Sequence, residues 1–281
     1  MTNKKLELSY EFFPPRTDAG RATLTKTRQE LAELSPEFFS VTYGAGGSTK
    51  ANTLETVIDI QHNSPVDAAP HITCVGVTNA ELLELLEQYR QQDIRRLVVL
   101  RGDLPGGMVA MGECKHAADL VHLIREHFGD HFSIAVAAYP EAHPDAKNLV
   151  SDLDHFANKM AAGANFAITQ YFYNNDSYFH FMEMCEKKGI TQPVMPGIMP
   201  ISNFASLRKF SRQCGAEIPR WIKKTMDAYE DDPASQRELG LEIVTRMTDE
   251  LIRNGVPGLH FYTMNQSALV RTIVNNLNLA N

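Results

Sequence analysis

Eight short apolar runs, each followed by a segment of helical spacing, constrain this chain more than any other feature in it. They are Leu8 to Phe13, Phe38 to Tyr43, Ala69 to Val75, Arg96 to Leu100, Phe132 to Ala138, Phe166 to Tyr171, Val194 to Met199 and Leu259 to Met264. Runs such as Leu97-Val98-Val99-Leu100 are apolar on both faces, as parallel strands buried on both sides must be. Helix signals fill the intervals. Thr78-Asn79-Ala80-Glu81 is a capping box, followed by Leu82, Leu83, Leu86 and Tyr89 on one face. Leu149, Leu153, Phe156 and Met160 form a second stripe, and Leu239, Ile243, Val244, Met247 and Leu251 a third. Most runs start about 25 to 38 residues apart, the room a right-handed crossover helix needs. The last interval is about twice that, and Ile218 to Glu230 within it predicts an additional helix.

This repetition predicts an α/β fold: a (β/α)8 TIM barrel over residues 1–281, one catalytic domain, with an extra helix between strands seven and eight. No Pro/Gly/Ser linker divides the chain, and no GxGxxG follows the first strand as a dinucleotide-binding fold requires. A formal net charge of −7 argues against a nucleic-acid partner. No stretch approaches the roughly 20 apolar residues that span a bilayer, so a cytoplasmic protein is expected, with no membrane partner. Cys74, Cys114, Cys185 and Cys214 are scattered without a CxxC pair and read as reduced thiols.

In such barrels chemistry sits where the strands end. Strand one ends in Glu11-Phe12-Phe13-Pro14-Pro15, strand two in Thr42-Tyr43-Gly44-Ala45-Gly46-Gly47-Ser48, and strand four in Arg101-Gly102-Asp103. Strand three carries His71; strand five runs into Tyr139-Pro140-Glu141 and His143, strand six into Thr169-Gln170-Tyr171, and strand eight into Tyr262-Thr263-Met264-Asn265-Gln266. Burial of Glu11 in an apolar strand favours the protonated form that a general acid needs; a structural pairing with a nearby arginine is the alternative. Asp103 carries the same ambiguity, with Arg101 two residues away. Gly44 to Ser48 reads as a strand-to-helix turn capped by Ser48, or as a loop approaching a phosphate or flat ring. His71 and His143 are not spaced as metal ligands, and no metal site is expected.

Taken in order, these segments closely resemble the bacterial, single-barrel, flavin-dependent methylenetetrahydrofolate reductases. The resemblance spans nearly the whole chain. It is carried by Tyr10-Glu11-Phe12-Phe13-Pro14-Pro15, Val41-Thr42-Tyr43-Gly44-Ala45, Ala69-Pro70-His71, Leu100-Arg101-Gly102-Asp103-Leu104-Pro105 and Ala137-Ala138-Tyr139-Pro140-Glu141. It continues through Ala162-Gly163-Ala164-Asn165, Ile168-Thr169-Gln170, Pro196-Gly197-Ile198-Met199-Pro200 and His260-Phe261-Tyr262-Thr263.

The resemblance implies a non-covalent FAD, reduced by NADH or NADPH, with bacterial relatives suggesting NADH. The reduced flavin then converts 5,10-methylenetetrahydrofolate to 5-methyltetrahydrofolate, feeding methionine synthesis. It also implies a homo-oligomer. By the same resemblance Tyr43, Ala45, His71, Arg101, Gly102, Asp103, Ala117, Tyr139, His143, Ala146, Asp152 and Lys159 surround FAD. Thr42 meets the nicotinamide donor, Gln170 and Asp103 the pterin, and Phe210 the folate aromatic ring or the adenine, with Ser206 and Gln266 also on the substrate side. Glu11 becomes the acid that protonates the folate ring nitrogen, and Asp103 a negative charge beside the flavin.

The chain also departs from the family. His155 and Asn158 stand where Asn and Arg are common, which alters those FAD contacts, and Gln266 replaces an Arg, which predicts weaker or rearranged binding of the folate glutamate tail. Two other readings make different predictions. A metal-dependent aldolase or hydrolase using Glu11, Asp103 and His71 would be colourless and sensitive to chelators. A flavin or folate carrier would bind without turnover and has no use for the acid at Glu11.

Overall fold

The computed structural model describes residues 6–43, 47–102 and 112–279. Its strands are β1 (Glu7–Phe12), β2 (Phe38–Val41), β3 (Asp67–Thr73), β4 (Arg96–Leu100), β5 (Ser133–Ala138), β6 (Phe166–Thr169), β7 (Val194–Met195), β8 (Gly197–Ile198) and β9 (Gly258–Tyr262). All pair in parallel, in the order β7-β6-β5-β4-β3-β2-β1-β9-β8, a nearly closed TIM barrel. The helices are α1 (Asp18–Ala32), α2 (Gly47–Asn63), α3 (Asn79–Gln91), α4 (Ala117–Phe128), α5 (Leu149–Ala161), α6 (Asn175–Lys187), α7 (Phe204–Cys214), α8 (Arg220–Asp227), α9 (Pro233–Arg253) and α10 (Ala268–Asn276).

The seventh predicted strand is two pieces, and the break is at Pro196. Proline has no N–H for the ladder. Its carbonyl still accepts from His260 N at 3.0 Å. Upstream, β7 pairs with β6; downstream, β8 pairs with β9, so the two halves together bridge the ring. The long interval after them holds three helices, not the two that its apolar stripes predict. The additional helix lies at Arg220–Asp227, inside the predicted Ile218 to Glu230. The unforeseen one is α7, capped by Asn203, whose side chain accepts from Ser206 N at 2.8 Å. Elsewhere the caps follow the sequence: Thr78 and Glu81 form the reciprocal pair at the start of α3.

Strand alternation divides the core in two. Leu8, Tyr10, Phe12, Phe39, Val41, Ile72, Val99 and Val136 point outward to the helices in one large cluster. Phe38, Ala69, Val98, Ala135 and Ile168 point inward and form a separate, much smaller cluster inside the barrel. The inward apolar filling is thin because other inward positions on β1, β2, β3 and β9 are Ser9, Glu11, Ser40, His71 and His260, all buried. A barrel interior is ordinarily packed with branched apolar side chains. This polar substitution is the departure that locates the site.

Candidate active site

Glu11 is next to last on β1, in register with Ser40 of β2 and Tyr262 of β9. It is 7% exposed. Its Oε2 lies 3.5 Å from His71 Nε2 and 3.8 Å from His260 Nε2, so one carboxyl group sits between two imidazoles. Neither ring nitrogen has a hydrogen-bond partner among the described residues. Burial lowers the His71 pKa to about 4, against the opposing pull of Glu11, so this ring is neutral at neutral pH.

Across the barrel, His260 Nδ1 is 2.8 Å from Ser9 Oγ. The hydroxyl of Ser9 is also placed to donate to the Leu259 carbonyl at 3.4 Å. With both bonds made, Nδ1–H of His260 donates to Ser9 and its Nε2 turns a lone pair toward Glu11. Thr263 Oγ1 donates to the Glu11 backbone carbonyl at 2.6 Å, and Asn265 bonds both the N–H and the carbonyl of Phe13, so the chain ends that follow β1 and β9 are tied together next to Glu11.

The remaining rim residues fall on two flanks. On the β3–β5 side, Arg101 reaches Asp145 at 3.1 Å, and His143 N donates to Asp152 at 3.0 Å while its Nδ1 accepts from Asp145 N at 3.0 Å. The Tyr139 ring meets His143 edge-on, Ala146 N closes on the His143 carbonyl, and Gly102, two residues beyond β4, has φ +87°. Ala117 is buried at the first turn of α4. Lys159 donates to the Ala137 carbonyl at 2.6 Å, and burial, countered by Asp152, lowers its pKa to about 8. Burial first and Glu81 second raise Tyr43 to about 12. His155 and Asn158 are exposed on α5, and the His155 ring stacks on His116.

On the other flank, Phe210 of α7 is half-exposed and stacks on Tyr171 at 6.0 Å. Gln170 and Tyr171 line a small cleft with Tyr139, Glu141 and Cys214. Gln266 lines a second cleft with Tyr262, Thr263 and Met264. Ser206 is exposed in the first turn of α7, and Thr42 N donates to the Phe12 carbonyl at the β2 end.

The structure thus brings Glu11 and His71 together, with His71 facing the carboxyl group inside the barrel. Ala45 and Asp103 lie outside the described residues, as does the side chain of Ser48. Sequence reasoning gave no role to Ser9, Ser40 or His260. A signal existed: each is a polar residue at an inward position of an otherwise apolar strand, in step with Glu11 or Tyr262.

Comparison with known proteins agrees with this geometry. Residues 1–278 match the family model for methylenetetrahydrofolate reductase. The 5,10-methylenetetrahydrofolate reductase of Pectobacterium carotovorum subsp. carotovorum is 41% identical over 275 residues, covering 97% of this chain and 90% of that one. The Escherichia coli (strain K12) protein of the same name is 40% identical over 274 residues, covering 97% and 91%. Among solved structures, an uncharacterised Clostridium thermocellum protein described as binding two copies of 5-methyl-5,6,7,8-tetrahydrofolic acid shares the fold. Its TM-score is 0.67 at 16% identity, covering 99% of this chain and 95% of its own. A Xanthomonas albilineans dihydropteroate synthase shares it at a TM-score of 0.55 and 11% identity, over 99% and 94% of the two chains. Matched over almost its full length, and with a buried carboxyl group at the expected strand end, the chain belongs to the methylenetetrahydrofolate reductase family, a family of oxidoreductases.

Proposed function

We propose that this protein uses bound FAD to reduce 5,10-methylenetetrahydrofolate to 5-methyltetrahydrofolate with NADH or NADPH, NADH preferred, as a cytoplasmic homo-oligomer supplying methionine synthesis. In this reading the whole chain is one catalytic domain. The observation that carries it is Glu11, a buried carboxyl group held between two imidazoles at the end of a barrel strand.

The residues on the β3–β5 flank fit FAD. An anion beside Lys159 restores the cationic form that burial opposes, and the Arg101 guanidinium sits at the rim on an exposed carboxylate that a diphosphate can replace. FAD, when bound, supplies the group that accepts hydride from the nicotinamide and passes it on. Tyr139, His143 and Gly102 shape its berth. Gln170 holds the pterin and Phe210 the folate aromatic ring or the adenine on the opposite flank; Asp103 lies outside the described residues, and it is the family resemblance that assigns it a negative charge near the flavin. Glu11 delivers a proton to the outer nitrogen of the folate five-membered ring, opening it to an iminium carbon that accepts hydride. Neutral His71 adds no positive charge beside the Glu11 carboxyl group.

Glu11→Gln keeps the shape and removes the proton. Stopped-flow mixing with NADH should bleach the flavin at a near wild-type rate, while reoxidation by methylenetetrahydrofolate should slow by about 10² to 10⁴-fold. A purified protein without a flavin spectrum, or a variant that reoxidises as fast as wild type, would sink the proposal.

A further inference from the structure

Glu141 takes no part in the chemistry above, yet it is the carboxyl group that joins the two flanks. Its Oε2 accepts the backbone N–H of Glu217 at 2.8 Å, linking the loop after β5 to the segment that follows α7. Two further observations show that this contact is built. Ala142, the next residue, adopts φ +68°, a left-handed conformation that costs a residue with a Cβ about 1 kcal/mol and persists only where its surroundings impose it. Gly215, which ends α7 with φ +77°, packs so closely that an added Cβ would lie 2.5 Å from Pro144 Cγ. The loop and the carboxyl end of α7 are therefore pressed together at Pro144 and pinned at Glu141.

What α7 does at that end concerns the substrate flank. Ser211 Oγ is 2.9 Å from the Tyr171 hydroxyl, and Cys214 Sγ is 3.2 Å from it, so the last turn of α7 grips Tyr171 while Phe210 stacks on its ring. On the loop side, the turn at Ala142 leads into His143, whose N–H and Nδ1 bind Asp152 and Asp145.

We infer that Glu141 is a positioning residue for the folate half of the reaction: by holding Glu217 N–H it fixes the end of α7, and so the Phe210–Tyr171 wall, against the cofactor loop. This inference rests on the proposed function. Glu141 lines a cleft with Tyr139, Tyr171 and Cys214, and Glu217 lies beside it. Burial, reinforced by the Glu217 charge and opposed by the Glu217 N–H, raises its pKa to about 7. Both of its protonation states are therefore populated at neutral pH, and either one accepts an N–H. A neutral acceptor of the same length should serve equally well.

The test uses the full-length flavoprotein. In Glu141→Ala the KM for methylenetetrahydrofolate should rise about 3- to 10-fold, the effect of one lost hydrogen bond. The kcat and the rate of flavin reduction by NADH should stay within about twofold. Glu141→Gln should restore the wild-type KM. Deuterium exchange at the Glu217 amide should speed up in the Ala variant and not in the Gln variant. Where Glu141→Ala does not fold, Gly215→Ala loosens the same contact from the α7 side and should raise the same KM alone. A KM unchanged in these variants, a kcat that falls as far as KM rises, or a Gln variant as impaired as Ala overturns the inference. A wild-type enzyme that binds FAD but does not turn over methylenetetrahydrofolate overturns the proposed function instead, and the folate role of Glu141 with it. Unaltered exchange at Glu217 in the Ala variant overturns the tie even where that function stands.

Discussion

Within the barrel, the ionisation of His71 links the site to stability. The folded pKa, about 4, lies below the ordinary 6.5 because burial disfavours the imidazolium. Between those values the unfolded chain binds a proton that the folded one refuses. The stability held above pH 6.5 is therefore lost as pH falls, and the loss is complete below about pH 4. Linkage puts the cost between pH 7 and pH 5 at about 2 kcal/mol. Urea unfolding at those two pH values should show that loss in the wild type and a smaller one in His71→Gln. Equal losses in the two proteins would mean that His71 is not the titrating group. The same desolvation that makes His71 costly keeps positive charge away from Glu11.

At the scale of elements, the two-part seventh strand shows how a local defect serves the barrel. Gly197 N donates to Thr169 Oγ1 at 2.8 Å, and Tyr262 OH donates to the Thr169 carbonyl at 2.7 Å, so β6, β8 and β9 converge on one residue. A Cβ on Gly197 would lie 2.3 Å from that carbonyl oxygen and 2.6 Å from the Tyr262 ring. A backbone oxygen in a ladder cannot swing away as a side chain can. Gly197→Ala should therefore cost about 3 kcal/mol in guanidinium unfolding, at the upper end of overpacking effects. A cost below about 1 kcal/mol would show that β8 shifts freely. Phe210, on the exposed side of α7, stacks on Tyr171 and leaves the rest of its ring open to a ligand.

For the molecule as a whole, the β3–β5 flank concentrates the rim residues that suit an anionic cofactor, and binding there should stabilise the entire barrel. FAD at 100 times its Kd should raise the unfolding free energy of stripped protein by about 2.7 kcal/mol, read as a rise in Tm. Lys159→Met should need a higher FAD concentration for the same rise. A Tm that does not respond to FAD would remove the cofactor from the proposal. No helix among the described residues is long and apolar enough to cross a membrane.

The sequence by itself determined the repeated β-α units, the parallel pairing that both-sided apolar strands demand, and the strand end on which Glu11 stands. Those properties are periodic and local: alternation, capping and strand length are written in neighbouring residues. It also carried the family, through short segments in a fixed order. Tertiary structure alone decided that His260, remote in sequence, faces Glu11 together with His71, because parallel register across β9, β1, β2 and β3 sets which inward side chains meet. It alone decided that Pro196 divides one stave between two neighbours, since the ladder's missing N–H matters only where β9 lies beside it. And it alone joined Glu141 to Glu217, a contact made by the packing of α7 on a loop, where no period in the sequence reports which residues touch.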